Sequence, residues 1–259
     1  MIDLAPGKNL LRTKLQVSKY TVQAVSNRII NRNDEVRKRQ RALEITAENS
    51  RELLKKLNVN VAATFQTENI FERNYFMACN HMSYLDILVL STIQPAVFVT
   101  SVEIEKTFFL GDMAKLGGSF FVNRINRRKM KDEVDSLVEL LHQKFNVFLF
   151  PEGTSTDGSG ILPFKKSLFR VPFQTDFPIL PICIRYKTID GEPFSPVNCD
   201  RVCWYDDMTF APHILQLMKL KELQVEVNYL EALNPADFES HGELSEATRD
   251  QITQAYFQN

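Results

Sequence analysis

The chain has 259 residues, of which 44% are hydrophobic and 24% charged, and a net charge of -1. That length suits one large α/β domain or a domain with an appendage, and that composition excludes disorder and coiled coil. No run of about 18 apolar residues occurs, so there is no candidate for a membrane-spanning helix.

The near-zero net charge hides an asymmetry. Residues 1–56 hold thirteen Lys/Arg against six Asp/Glu, and the remainder carries the compensating acidic excess. Lys8, Arg12, Lys14, Lys19, Arg28 and Arg32 occur before the first acid after Asp3. Such a split points to an anionic partner for the N-terminal part. The opening "MIDLAPGKNLLRTKLQ" lacks the uninterrupted apolar core of a signal peptide, so a cytoplasmic chain is expected.

From Asn9 to Asn33 the pattern predicts a helix. Leu11, Leu15, Val22, Val25 and Ile29 recur at helical spacings, with bases largely between them. A second helix is predicted over 34–57, with Leu43, Ala47, Leu54 and Leu57 on one side and acids at its start. Residues 1–57 therefore read as a basic amphipathic helical hairpin, and 58–259 as an α/β domain. The hairpin can pack on that domain with a solvated basic face. It can also lie on an anionic membrane surface, the usual place of basic amphipathic helices.

After Asn58 strand and helix signals alternate. "VNVAATF", "NYFMAC", "AVFVT", "SFFVNR", "NVFLF", "PILPICIRY", "DRVCWY" and "LQVEVNYLEAL" read as strands. "YLDILVLSTI", "FFLGDMAKLG", "RKMKDEVDSLVELLHQKF", "HILQLM" and "SEATRDQITQAYF" read as helices. This alternation predicts a layered α/β domain with a mostly parallel central sheet flanked by helices. Cys79 and Cys183 sit in apolar runs and read as core residues. Cys199 and Cys203 have neither a CxxC spacing nor a nearby histidine, so no metal site is expected.

Ligands of open α/β sheets bind beyond the carboxyl ends of strands. Three polar clusters fall there. In "NHMSYLD", Ser83 and Asp86 form the S-x-x-D pattern of a capping box before an apolar helix. Capping accounts for Ser83 and offers one role for Asp86. It does not account for His81. The alternative role for Asp86 is to fold back on the imidazole Nδ1 and leave Nε2 free as a general base. In "FPEGTSTDG", Glu152 emerges from a buried strand and needs a partner, while a glycine-rich loop offers N–H groups to anionic oxygens. In "GGSFFVNR", Arg124 ends an apolar strand, where a guanidinium can hold a phosphate through paired hydrogen bonds.

The order "NHMSYLD", "GGSFFVNR", "FPEGTS", "LPICIRY" resembles the four blocks of the glycerolipid acyltransferase family, whose best-known members acylate lysophosphatidic acid. The H-x4-D element is His81 to Asp86, and the resemblance covers roughly residues 58–232. It implies an O-acyltransferase that moves an acyl group from acyl-CoA or acyl-carrier protein, used as a co-substrate, to the hydroxyl of a lysolipid. His81 would be the base and Asp86 its orienting carboxylate. Arg124, Glu152, Gly153, Thr154 and Lys165 would bind the acceptor. Many members that form phosphatidic acid read EGTR, whereas Ser155 stands here at the arginine position. Sequences reading EGTS are similar to acyltransferases for other lysolipids, including lyso-ornithine lipid.

No G-x-S-x-G elbow supplies a serine nucleophile, and neither HExxH nor GxGxxG occurs, so direct transfer without metal or dinucleotide is expected. The rival readings are a hydrolase or lipid transacylase using the same base, and a non-catalytic lipid-binding module. No nucleic-acid partner is expected, because the bases lie on an amphipathic helix rather than among stacking aromatics. The expected location is the cytoplasmic face of a membrane, held peripherally.

Overall fold

The computed structural model describes residues 5–123, 130–175 and 177–258, with side chains from residue 11 onward. Two helices lead, α1 (Ala5–Ile30) and α2 (Glu35–Lys56), followed by β1 (Val59–Phe65), β2 (Phe76–Cys79), α3 (Tyr84–Ile93) and β3 (Val97–Ser101). Next come α4 (Val102–Glu105), α5 (Leu110–Leu116), β4 (Phe120–Val122), α6 (Met130–His142), β5 (Val147–Leu149) and α7 (Arg170–Phe173). The chain closes with β6 (Ile179–Ile189), β7 (Glu192–Pro193), α8 (Phe210–Leu217), β8 (Leu223–Tyr229) and α9 (His241–Phe257).

The sheet runs in the order β1-β8-β6-β2-β5-β3-β4, with β7 a short hairpin partner of β6. From β6 to β4 all neighbours are parallel, and β8 reverses against β6. The central strands β2 and β5 are buried throughout, as their continuous apolar runs require. Alternation splits β2 between two cores. Met77 and Cys79 join α3, α8 and the end of α2, while Phe76 and Ala78 join α6, α7 and α9. The layered, mostly parallel α/β fold expected from the sequence is the fold observed.

One predicted strand is not one. Across "DRVCWY" the chain makes a 3-10 turn at Cys199–Arg201 and then irregular backbone. Val202 and Cys203 are fully buried, but as a plug: the Trp204 N–H donates to the Met82 carbonyl (2.8 Å), and no ladder forms. Burial of apolar residues produced the strand-like pattern without strand pairing. The helical predictions hold to within a few residues, and α4 and α7 are short turns the pattern did not mark.

α2 packs as its apolar spacing predicts. Leu43, Ala47, Leu54 and Leu57 are buried, and Asp34 caps the helix by accepting from the Arg37 N–H at 2.9 Å. α1 packs the other way round. Among its described side chains the buried ones are Thr13, Gln16, Ala24 and Asn27, while Leu11, Leu15, Val22 and Ile29 are each more than three-fifths exposed. The seam with α2 is polar. Gln16 donates to Asn49 (2.8 Å), Asn49 donates to Gln23 (2.8 Å), and Asn27 donates to the Lys38 carbonyl (2.8 Å). The apolar stripe is thus where the sequence places it, and it faces away from the protein. Among the described residues no helix is long and apolar enough to cross a membrane.

Asn80 explains how the β2 chain leaves the sheet without orphaning its neighbour. Its side-chain Oδ1 accepts from the Ile184 N–H (2.9 Å), and its Nδ2 donates to the Ile184 carbonyl (3.0 Å). The side-chain amide continues the β2–β6 ladder one rung past Cys79, and the freed backbone turns into the loop that carries His81. Replacing Asn80 with alanine strands two buried backbone groups. Asn80→Ala should lower unfolding free energy by about 2–3 kcal/mol, seen as a lower urea midpoint at unchanged slope.

Candidate active site

The loop after β2 meets the loop after β5 at the carboxyl edge of the sheet. Between them His81 is clamped by its backbone. Its N–H donates to Glu152 Oε1 (2.8 Å), and its carbonyl accepts from the Thr156 N–H (2.9 Å). Its ring stacks on Phe150, with centroids 4.0 Å apart and planes 17° from parallel. Backbone and ring are therefore both fixed before any partner of the imidazole nitrogens is considered.

The Nδ1 atom lies 2.8 Å from Asp86 Oδ2. That same oxygen accepts the N–H groups of Met82 (2.7 Å) and Ser83 (2.9 Å), closing the capping box at the start of α3. The two roles that the sequence offered for Asp86 are therefore held together. Helix capping fixes the carboxylate, and the fixed carboxylate fixes the ring. Asp86 is completely buried, and its second oxygen is bonded by the Tyr186 hydroxyl from β6 at 2.5 Å. Burial, and then the neighbouring carboxylate, push the Tyr186 phenol well up, so it keeps its proton and donates. With Nδ1 turned to Asp86, Nε2 has no partner among the described residues, and the side chain is partly open to solvent.

Glu152 is buried and serves the scaffold. Oε1 takes the His81 N–H, and Oε2 takes the Leu162 N–H at 2.7 Å, which ties the far end of the glycine-rich loop to the His81 loop. Gly153 has φ +78°, and a Cβ there would meet Lys165 Nζ at 2.6 Å. Gly153 and Lys165 share a small cavity of about 80 Å³ with Val122, Glu133 and Leu168. The Thr154 side chain is exposed and makes one long bond, to the Ser155 carbonyl at 3.4 Å. Ser155 donates to the Trp204 carbonyl, so it braces the loop against the plug. Arg124 lies outside the described residues.

His81, Asp86 and Glu152 are thus joined by direct hydrogen bonds, Gly153 and Lys165 sit beside them, and Thr154 points away. Sequence reasoning missed Tyr186, Phe150, Asn80 and Thr156. For Tyr186 a signal was present, a hydroxyl at the end of the apolar run of β6, which demands a partner if buried.

Burial raises the Glu152 carboxyl from its ordinary 4.5 to about 7, against the N–H groups of Leu162 and His81, which favour its charged form. Between those values the folded chain binds more protons at Glu152 than the unfolded chain does. Its contribution to stability is therefore fully present below about 4.5 and is lost as pH rises to about 7. In Glu152→Gln that slope disappears. Urea midpoints taken across this range should vary less with pH in the variant than in the unaltered protein.

Comparison with known proteins matches the acyltransferase family over residues 48–185. A lyso-ornithine lipid O-acyltransferase of Rhizobium meliloti is 32% identical over 184 residues, 68% of this chain and 62% of that protein. The matched region therefore spans less than two thirds of that relative. A 1-acyl-sn-glycerol-3-phosphate acyltransferase of Neisseria gonorrhoeae is 28% identical over 176 residues, 68% of this chain and 67% of that protein. The crystal structure of the 1-acyl-sn-glycerophosphate (LPA) acyltransferase of Thermotoga maritima shares the fold, with a TM-score of 0.66 at 19% identity over 96% of this chain and 95% of that one. With more than half of its length matching the family, including the His81 and Glu152 loops, the chain belongs to the acyltransferase family.

Proposed function

We propose that this chain transfers a fatty acyl group from a thioester, acyl-CoA or acyl-carrier protein, to the free hydroxyl of a lysolipid, with His81 as general base. The observation that carries this reading is the His81–Asp86 pair. Its Nδ1 is locked and its Nε2 free, at the sheet edge of an acyltransferase-family chain. Nε2 takes the acceptor's hydroxyl proton as the oxygen attacks the thioester carbonyl. The tetrahedral adduct collapses with loss of the thiolate, and the imidazolium returns the proton to sulfur. The leaving thiol has a pKa of about 8.5, so little acid assistance is needed. Asp86 orients the ring and balances the imidazolium charge.

Gly153 and Lys165 receive the acceptor's polar head beside His81, with Arg124 assigned to the same head from its place in the sequence. Glu152 acts by holding the two loops together. Thr154 has no support from its position. The Rhizobium and Neisseria relatives are named for a lyso-ornithine lipid and for 1-acyl-sn-glycerol-3-phosphate as acceptors. Ser155, already engaged with Trp204, provides no cation for a phosphate, and this favours the lyso-ornithine type of acceptor. Lys165 keeps a phosphate-bearing acceptor within reach. A panel of lysolipids offered with both donor types separates the two.

Residues 1–57 bring the site to a membrane. Burying the outward stripe of α1 gives about 1.5–3 kcal/mol for each large side chain removed from water. Arg12 and Lys14 are exposed on the same helix, and Phe108, in the turn before the adjoining α5, is 92% exposed. An apolar stripe with flanking bases is the recipe for peripheral binding to an anionic leaflet. Lys19, the base nearest the middle of the helix, is paired with Glu52 at 2.6 Å and contributes less.

His81→Ala should fold and lose at least about 10²–10⁴-fold in turnover, measured by acyl transfer to a dispersed lysolipid. Asp86→Asn separates capping from orientation. An asparagine Oδ1 can still accept the N–H groups of Met82 and Ser83, so the melting curve should move little. Turnover should fall by orders of magnitude, because the imidazolium loses its counter-charge. Turnover that tracked only the folded fraction would remove Asp86 from the reaction. On the membrane side, the protein should sediment with anionic vesicles at low salt and be partly released at high salt. Leu15→Gln with Val22→Gln should weaken that binding while changing stability by less than about 0.5 kcal/mol, since both side chains are already in water.

A further inference from the structure

A second concave site lies away from His81. It occupies about 390 Å³ where the end of α1 and the start of α2 meet the turn between α5 and β4. That turn precedes β4, so the site sits at the amino edge of the parallel strands, opposite the loops that follow β2 and β5. Arg28, Arg32, Lys38, Arg39 and Lys115 line it, against the carboxylate of Glu35.

Most of these cations have partners. Arg28 donates to the Lys115 carbonyl at 2.9 Å, Lys38 bonds Glu35, and Lys115 reaches Glu105 at 3.5 Å, off the cavity lining. Arg39 is different. It is half-buried, its stem packs over Gly118, and its guanidinium has no hydrogen bond or ion pair among the described residues. Burial pushes it down from its ordinary value, with Glu35 opposing. An unpaired guanidinium on the cavity wall, with four further cations and one carboxylate around it, offers paired hydrogen bonds to an anion. Arg32 is exposed, and it too is unpaired among the described residues.

The chain beside the cavity points to the anion's carrier. Ile29 and Ile30, between Arg28 and Arg32 in sequence, are 66% and 77% exposed, and Ile29 ends the outward stripe of α1. A helix lying with its stripe in the acyl boundary holds its flanking side chains at headgroup level. We propose that this cavity binds the phosphate of an anionic phospholipid headgroup, gripped by Arg39 and Arg32, as a docking site separate from the lysolipid site. The proposal rests on α1 facing the membrane. The site orients the bound enzyme, in addition to the general attraction of its bases.

The test is co-sedimentation of the full chain with phosphatidylcholine vesicles, with and without phosphatidylglycerol. The proteins are the unaltered chain, Arg12→Gln, Arg39→Gln and Arg39→Lys. Arg12 is exposed on α1 and off the cavity lining, so its loss reads one charge near an anionic surface, about fivefold in affinity. Arg39→Gln should lose about tenfold more than that, because charge-assisted hydrogen bonds go with the charge. Arg39→Lys, which keeps the charge and loses the planar fork, should lose most of the same excess. Detergent-dispersed turnover should stay unchanged in all three.

Equal losses for Arg12→Gln and Arg39→Gln, with Arg39→Lys silent, would overturn the site. Should Arg39→Gln melt early, Arg32→Gln on the exposed rim takes its place. If the unaltered chain ignores anionic vesicles, the membrane reading of α1 has failed, and the lipid as carrier with it. Melting with added inorganic phosphate then reads the cavity directly. A rise that vanishes in Arg39→Gln makes it a site for soluble phosphates and overturns the lipid assignment. A rise that survives in the variant, or none at all, overturns the cavity as an anion site.

Discussion

The carboxylate of Asp86 has no exposure to solvent, and this constraint organises the surrounding elements. A buried charge needs donors, and those here come from two distant parts of the chain, residues 81–83 and Tyr186. The N–H groups of Met82 and Ser83 come from the entry to α3, Nδ1 from the end of the β2 loop, and the hydroxyl from Tyr186 in the middle of β6. Satisfying one group therefore sets the direction in which α3 starts, the face His81 presents and the place of β6 beside β2. Glu152 repeats the logic on the other side. It is a second buried carboxylate, whose two oxygens each take one N–H from a different loop.

The sequence carried a good part of this. An S-x-x-D pattern before an apolar run marked the cap, and a histidine five residues before Asp86 marked the pair. It presented them as competing explanations because spacing cannot show that one oxygen accepts three donors. Tyr186 escaped because it is separated from Asp86 by 100 residues, and no local pattern reports a cross-sheet hydroxyl. The fold class was legible because strand and helix periodicities alternate cleanly after Asn58. "DRVCWY" misled because burying Val202 and Cys203 as a plug leaves the same apolar trace as a short strand.

α1 shows the limit in its sharpest form. Helical periodicity marked the stripe of Leu11, Leu15, Val22 and Ile29, and these residues do share a face. Periodicity reports that such a face exists, and the partner decides whether it turns in or out. Here α2 offers Thr46 and Asn49 on the side toward α1, so Tyr20, Gln16 and Gln23 turn inward to meet them. The pairing of amides overrode the usual preference for burying leucine and valine.

That polar seam has a thermal consequence. Heat capacity changes follow the apolar surface exposed, and a contact made largely of amides exposes little when it opens. Its strength does not fade on cooling as a greasy contact would. Side-chain amides bonding between helices also hold in hydrocarbon as they do in water. The joint between α1 and the rest of the chain can therefore cross from one solvent to the other, or from a warm to a cold one, without being remade.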